Sequence, residues 1–290
     1  MTDSNGGNLT ASAVKSCLYS ARWGGRALIS LYISALSGLA LGLQYNSAEP
    51  FYSTATIQLV IPFGAFWRSL HYCSSQAFFL FLLIHLTLVI GRRSGQFSPA
   101  EWLRLTASAP VSLSLLFTGY ILRGDATGDA AGAISEHIAL SITLFGQPLN
   151  KVLLDISAAG LRKIYLHHAV GLMLLGAFCL WPHLRRYPAF WRNHLPLTLL
   201  LLAAAALIKI PLEPERFGLL HIAGPWFFVG MQELLRHLPA FWAGAALPAA
   251  LIGPLLLLPA AGRARNCCLS VIAIWLLGYA AFSGLALARL

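Results

Sequence analysis

Charge is scarce in this sequence: of 290 residues only 10% are Asp, Glu, Lys or Arg, whereas 58% are hydrophobic. No soluble core of this size needs such an apolar fraction, so a soluble globular enzyme is excluded. Cysteines are few. Cys17, Cys73, Cys179, Cys267 and Cys268 form no C-x-x-C, C-x-x-C-H or zinc spacing, which removes the basis for covalent c-type haem, iron–sulfur ligation or a disulfide framework. Acidic residues number 10 against 20 Lys and Arg. That surplus sits in scattered loop arginines, with no aromatic-studded basic face on a soluble segment, so no nucleic acid is expected as a partner. The first 26 residues carry no apolar run, so no cleaved signal peptide is expected. Internal repeats and low-complexity tails are also missing.

What the chain has is long apolar stretches. Seven are long enough to cross a bilayer, at roughly 27 to 45, 70 to 91, 104 to 122, 164 to 184, 195 to 211, 240 to 259 and 267 to 287. The Ala/Leu-rich runs 198–206 and 244–258 read as lipid-facing helix. The connection 123–163, with Gly124, Gly128, Gly132, Gly146 and Pro148, has apolar patches too short to span, which predicts short surface helices. The fold class is therefore all-α, an integral membrane bundle of about seven transmembrane helices. Alternating the loops places 11 basic and 2 acidic residues on one side, a net of +9, and 9 basic and 8 acidic on the other, a net of +1. The +9 side, which holds the N-terminus, is expected to be cytoplasmic in a bacterial inner membrane.

Four histidines organise the apolar stretches. In an α-helix the 14-residue step from His71 to His85 returns to within about 40° of the same face, and the 15-residue step from His168 to His183 to within about 60°. Each pair is separated by about 21 to 23 Å along its helix axis. Two facing helices thus offer one His–His pair near each membrane surface, which suits two stacked b-type haems. Hydrogen-bonded structural histidines are the bland alternative, but imidazoles at four matched depths inside a bilayer mark function. Zinc or copper would need three or four ligands converging on one point. His167 is an alternative first ligand. Its 16-residue step turns it about 160° from His183, so His168 is preferred.

The same stretches resemble the cytochrome b family of bc1 and b6f complexes, b6 and subunit IV fused in one chain. Trp23-Gly24-Gly25-Arg26 through Ser37-Gly38 resembles that family's first helix, where two glycines 14 apart let haem lie against backbone. Trp67-Arg68-Ser69-Leu70-His71-Tyr72 through His85 resembles its second helix. There the resemblance implies that Arg68, one turn from His71, pairs with a haem propionate. Thr118-Gly119-Tyr120 resembles its third helix, with Gly119 as a haem-packing glycine, although the partner glycine 14 residues earlier is Leu105. His168 to His183 has the 15-residue spacing of the b6f branch. Pro182 predicts a kink just before the last ligand. Residues 1–190 would then form the four-helix dihaem core and 191–290 a three-helix, subunit IV-like part.

Departures from the family pattern gather at one place. Gly224-Pro225-Trp226-Phe227-Phe228 stands where the family has P-E-W-Y, so Pro225 replaces the acid implicated in accepting a proton from quinol. The P-W-G turn after the third helix is replaced by Leu122-Arg123-Gly124-Asp125. Asp125, Asp129, Glu136 and Glu233 are the substitutes available. Arg22 occupies the place of the cysteine that attaches an extra haem in the b6f branch, and Cys17 lies five residues too early, so no third haem is expected.

The function expected is that of a dihaem b-type cytochrome subunit carrying electrons between an outer-side partner, an iron–sulfur or cytochrome c protein, and a quinone. Quinone chemistry is placed near His183 on the cytoplasmic side, where Arg22, Arg26, Arg185 and Arg186 form a basic rim able to stabilise a reduced quinone anion. A haem-bearing anchor for a peripheral dehydrogenase or hydrogenase is a second reading, and a haem-free transporter or assembly protein a third.

Overall fold

The computed structural model describes residues 22–92, 96–215 and 222–289, and every regular element among them is helical. Asp3, Lys15, Cys17 and Arg93 lie outside the described residues. The elements are α1 (Trp23–Gly42), α2 (Pro50–Leu59), α3 (Gly64–Arg92), α4 (Pro99–Ile121), α5 (Ala126–Leu140), the single turn α6 (Gly146–Leu149), α7 (Ala158–Arg186), α8 (Leu195–Leu207), α9 (Val229–His237), α10 (Phe241–Leu257) and α11 (Gly262–Leu287).

Local chemistry sets several starts. Ser98 and Glu101 form a capping box ahead of α4 with Pro99 in its first turn, Asp125 caps α5 by accepting from Gly128 N at 3.0 Å, and Ser157 caps α7 by accepting from Gly160 N at 3.2 Å. The 123–163 connection thus holds helices α5 and α6 as expected. Helix α2 was not anticipated. It turns into α3 through Phe63, at φ 58°, and Gly64, where a Cβ would lie 1.7 Å from Ile57 O, so only glycine fits.

Packing is closest between α1 and α3, where Ser30, Ser37 and Ser74 are fully buried. Small side chains let two membrane helices approach, and the Ser37 and Ser74 hydroxyls return their protons to carbonyls of their own helices, Ile33 O at 2.7 Å and Leu70 O at 2.6 Å. Helix α4 packs on α7, α8 on α3, α9 on α11, and α10 on both α11 and α5. Ala27, Phe78, Phe79, Leu82, Leu116, Tyr120 and Phe227 join α1, α3, α4 and the turn before α9 into one core. Leu36, Phe178, Leu200, Ile274 and Leu277 are each at least 64% exposed, the outward apolar surface of an integral membrane bundle.

Among the described residues four helices are long and apolar enough to cross a membrane: Trp23–Gly42, Gly64–Ile90, Ala158–Arg186 and Gly262–Leu287. The stretch expected to span at 195 to 211 is helical only to Leu207. Its 13 residues rise about 20 Å, short of about 30 Å of hydrocarbon. Ile208 is already extended, and Pro211 disfavours helical geometry at Ile210. Pro182, where a kink is expected, lies inside continuous α-helix. α7 is α-helical from Leu172 through Pro182 to Arg186, and its departure from α geometry is a π turn over His167–Gly171.

Candidate haem-ligating site

Helices α3 and α7 run parallel and bring the four histidines together as two pairs. His71 faces His168 with ring centres 6.2 Å apart and planes at 75°, and His85 faces His183 at 6.2 Å and 54°. An imidazole nitrogen binds a metal at about 2.0 to 2.1 Å and lies about 1.1 Å from its ring centre, so two imidazoles sharing one metal in line need centres about 6.2 to 6.4 Å apart. Both pairs meet that requirement. Among the described residues no group of three or more His, Cys, Asp or Glu converges as a metal site, so the donor set fits a metal that brings its own equatorial ligands, as haem does.

Partners of the inner ring nitrogens support the same fit. His71 Nδ1 lies 2.8 Å from Ser34 O, and His168 Nδ1 lies 2.9 Å from Thr118 Oγ1, whose own proton goes to Ser114 O at 2.7 Å. Each Nδ1–H therefore donates, which leaves the Nε2 lone pair for a metal and fixes the ring orientation. His167 points away, its Nε2 3.0 Å from Val152 O.

Three of the glycines singled out in the sequence face three different histidines. A Cβ on Gly38 would sit 2.8 Å from His71 Cε1, one on Gly119 3.1 Å from His168 Cε1, and one on Gly24 3.1 Å from His85 Cε1. Their shared role is to leave room for a ligand ring and whatever it binds. The fourth, His183, has the Tyr187 ring 5.1 Å away, and the sequence position 14 residues before Gly119 is Leu105.

Arg68 is buried one turn from His71, and its guanidinium donates to Ile210 O at 3.4 Å and Pro211 O at 3.1 Å. Two of its five donors are thus spent on the segment after α8. Arg185 and Arg186 are exposed, and Arg186 pairs with Glu101 at 3.2 Å. Sequence reasoning missed His194. It is buried beside α1, its Nε2 2.6 Å from where a Cβ on Gly25 would be, and burial together with Arg22 and Arg26 holds its pKa below the usual histidine value. The doubled Gly24-Gly25 was the available signal.

Three of the four carboxylates singled out as substitutes separate clearly. Asp125 is buried, capping α5 and paired with Arg123, which also holds Glu213 at 3.2 Å; burial pushes its carboxyl up. Glu136 accepts from Asn150 Nδ2 at 2.7 Å. Glu233 is buried yet lines a cavity of about 810 Å³ with Gln232, His137, Arg236 and Arg289. It accepts from Arg289 Nη1 at 2.6 Å and His237 Nε2 at 3.0 Å, and the His237 bond holds its carboxyl below the usual range.

Comparison with known proteins agrees with this fold. The family profile described as Cytochrome b/b6/petB matches residues 8–185. Cytochrome b6 of Heliobacterium mobile is 29% identical over 161 residues, covering 52% of this chain and 74% of its own, and cytochrome b6 of Heliobacterium modesticaldum is 27% identical over 156 residues, covering 51% and 72%. A chain of a hyperthermophilic respiratory Complex III shares the fold with a TM-score of 0.67 at 19% identity, covering 92% of this chain and 88% of its own. With more than half of its length matched by that profile, and with its helices arranged as in the Complex III chain, this membrane protein belongs to the cytochrome b family.

Proposed function

We propose that the chain is the dihaem cytochrome b subunit of a membrane quinol/quinone oxidoreductase, His71 and His168 ligating one haem b and His85 and His183 the other. The carrying observation is the two imidazole pairs, each with ring centres 6.2 Å apart, set about 21 Å apart along two parallel helices. Bound haem supplies one-electron chemistry, and two such centres at this separation bridge the apolar depth of a bilayer. The chain's own residues orient the rings through Ser34 O and Thr118 Oγ1, make room at Gly24, Gly38 and Gly119, and exclude water with the aromatic core of α3 and α4. Residues to 190 form this core and 191–290 close it on the α8 and α11 sides. A purified sample is expected to contain two haem b per chain, and His71→Leu to lose one of them; an unchanged reduced-minus-oxidised spectrum sinks the assignment.

In this reading the N-terminus is cytoplasmic, which puts the His85/His183 pair inside and the His71/His168 pair outside. Quinone reacts at the inner end. There Arg22, Arg26 and Arg185 supply positive potential for a reduced quinone anion, and His194, kept neutral, can both donate and accept a hydrogen bond. The outer pair exchanges electrons with an iron–sulfur or cytochrome c protein of the same complex. Reporter fusions after Arg186 and after Glu215 should read cytoplasmic and outer; an inverted result redraws the topology.

A second reading is favoured by the cavity at Glu233. With Pro225 in the acid's place, Glu233 and His237 are the groups placed to take a proton from a quinol bound on the outer side. Glu233→Gln separates the two: an intact rate of haem reduction by quinol supports the inner site alone, and a fall of tenfold or more restores an outer one.

A further inference from the structure

The two ligand steps differ in length, 14 residues on α3 and 15 on α7, yet both pairs close to the same 6.2 Å. In ideal α-helices those steps end about 100° apart in phase. Membrane helices that supercoil at about 3.5 residues per turn complete four whole turns in 14 residues, so a 15-residue step overshoots the facing pair by about 100°. We propose that the π turn His167–Gly171 is the device that restores the match, and that His167 is the positioning residue that holds it. This rests on the ligand assignment above.

A π turn closes i→i+5 where an α turn closes i→i+4, so it takes up one residue without advancing the helix. Counted that way, His168 to His183 becomes a 14-residue step, the same as His71 to His85. The turn begins at His167 and carries His168 within it. Such a turn breaks the ladder of backbone bonds and needs holding from outside. Here the hold comes from a second π turn, Asn150–Leu154. His167 Nε2 bonds Val152 O at 3.0 Å, and Lys163 Nζ donates to Lys151 O at 2.8 Å, so two side chains of α7 cap carbonyls of that turn. Asn150 Nδ2 in turn donates to Glu136 Oε1 at 2.7 Å, tying the assembly to α5. The adjacent histidines thus divide the work: His168 faces His71 across the bundle, and His167 fixes where His168 points.

Deleting the exposed Val170 from the full-length protein tests the register. The π turn should relax to α geometry with both flanks in place, leaving two haem b per chain and both spectral signatures. Deleting the equally exposed Leu80 from the regular α3 is expected to rotate His71 against His85 and halve the haem content or worse. Loss of haem on deleting Val170 overturns the proposal. His167→Leu is expected to shift the electron paramagnetic resonance g-value and the α-band of the His71/His168 haem alone. His167→Gln, which keeps a donor for Val152 O, should rescue it, as should combining His167→Leu with the Val170 deletion. Unchanged signatures in His167→Leu remove His167 from the role. A preparation of the parent protein without two haems overturns the ligand assignment instead, so the two failures are distinguishable.

Discussion

The His71/His168 end and the His85/His183 end have the same ring separation but are built differently. At the first, a glycine backs each ring and a buried arginine lies one turn away. At the second, one glycine backs His85, Leu105 stands where its counterpart would be, Tyr187 lies against His183, and exposed arginines surround the rim. Equal geometry with unequal support argues for unequal duties. A pair with a glycine behind each ring suits a relay whose environment must not change, whereas the cationic end suits a centre beside which a small molecule binds and leaves.

The comparison breaks most easily at Gly38. Gly38→Val would drive a side chain into the His71 ring, since even its Cβ would be 2.8 Å from Cε1, and should abolish that pair's haem signal while sparing the other. Leu105→Gly should cost neither haem, because the second end already tolerates a side chain there; loss of a haem would show the two ends to be equally demanding. Next in size is Thr118→Val, which removes the acceptor for His168 Nδ1. Outer partners of metal-bound histidines are worth about 10- to 100-fold in affinity, and haem retention during dilution in detergent measures it. Arg68→Gln leaves carbonyls of Ile210 and Pro211 without charged donors and should lower thermal stability by about 1 to 3 kcal/mol. Smallest is Arg186→Ala. Its pair with Glu101 is partly exposed, so stability should change by under about 1 kcal/mol, and any larger loss would give the basic rim a structural role.

Much of the site was legible because it repeats with the helix. The 14-residue intervals of His71/His85 and Gly24/Gly38 follow from 100° per residue, and the structure sets those glycines against the paired rings. The choice of His168 over His167 was argued for a regular helix, and the helix is not regular there. What escaped depends on tertiary contacts that leave no periodic mark. The π turn at His167 has no residue signature of its own, α2 is a short helix between two long ones, and His194 is buried only because Gly25 on another helix makes space. Pro182 was read for a kink by a local rule, and the α-helix runs on past it. The end of α8 was local too, but apolar content at 195 to 211 outweighed the warning in Pro211.

That early end of α8 has a consequence for the lipid around the protein. A helix covering about 20 Å leaves several ångströms of hydrocarbon with no regular backbone to face it, and bare carbonyls do not survive against acyl chains. Gln58 from α2 and Arg68 from α3 reach across to Ile210 O and Pro211 O, so the continuing strand is screened by polar arms and not by its own hydrogen bonds. The bilayer beside α8 should accordingly be pinched, and short-tailed lipids should gather there in preference to long-tailed ones.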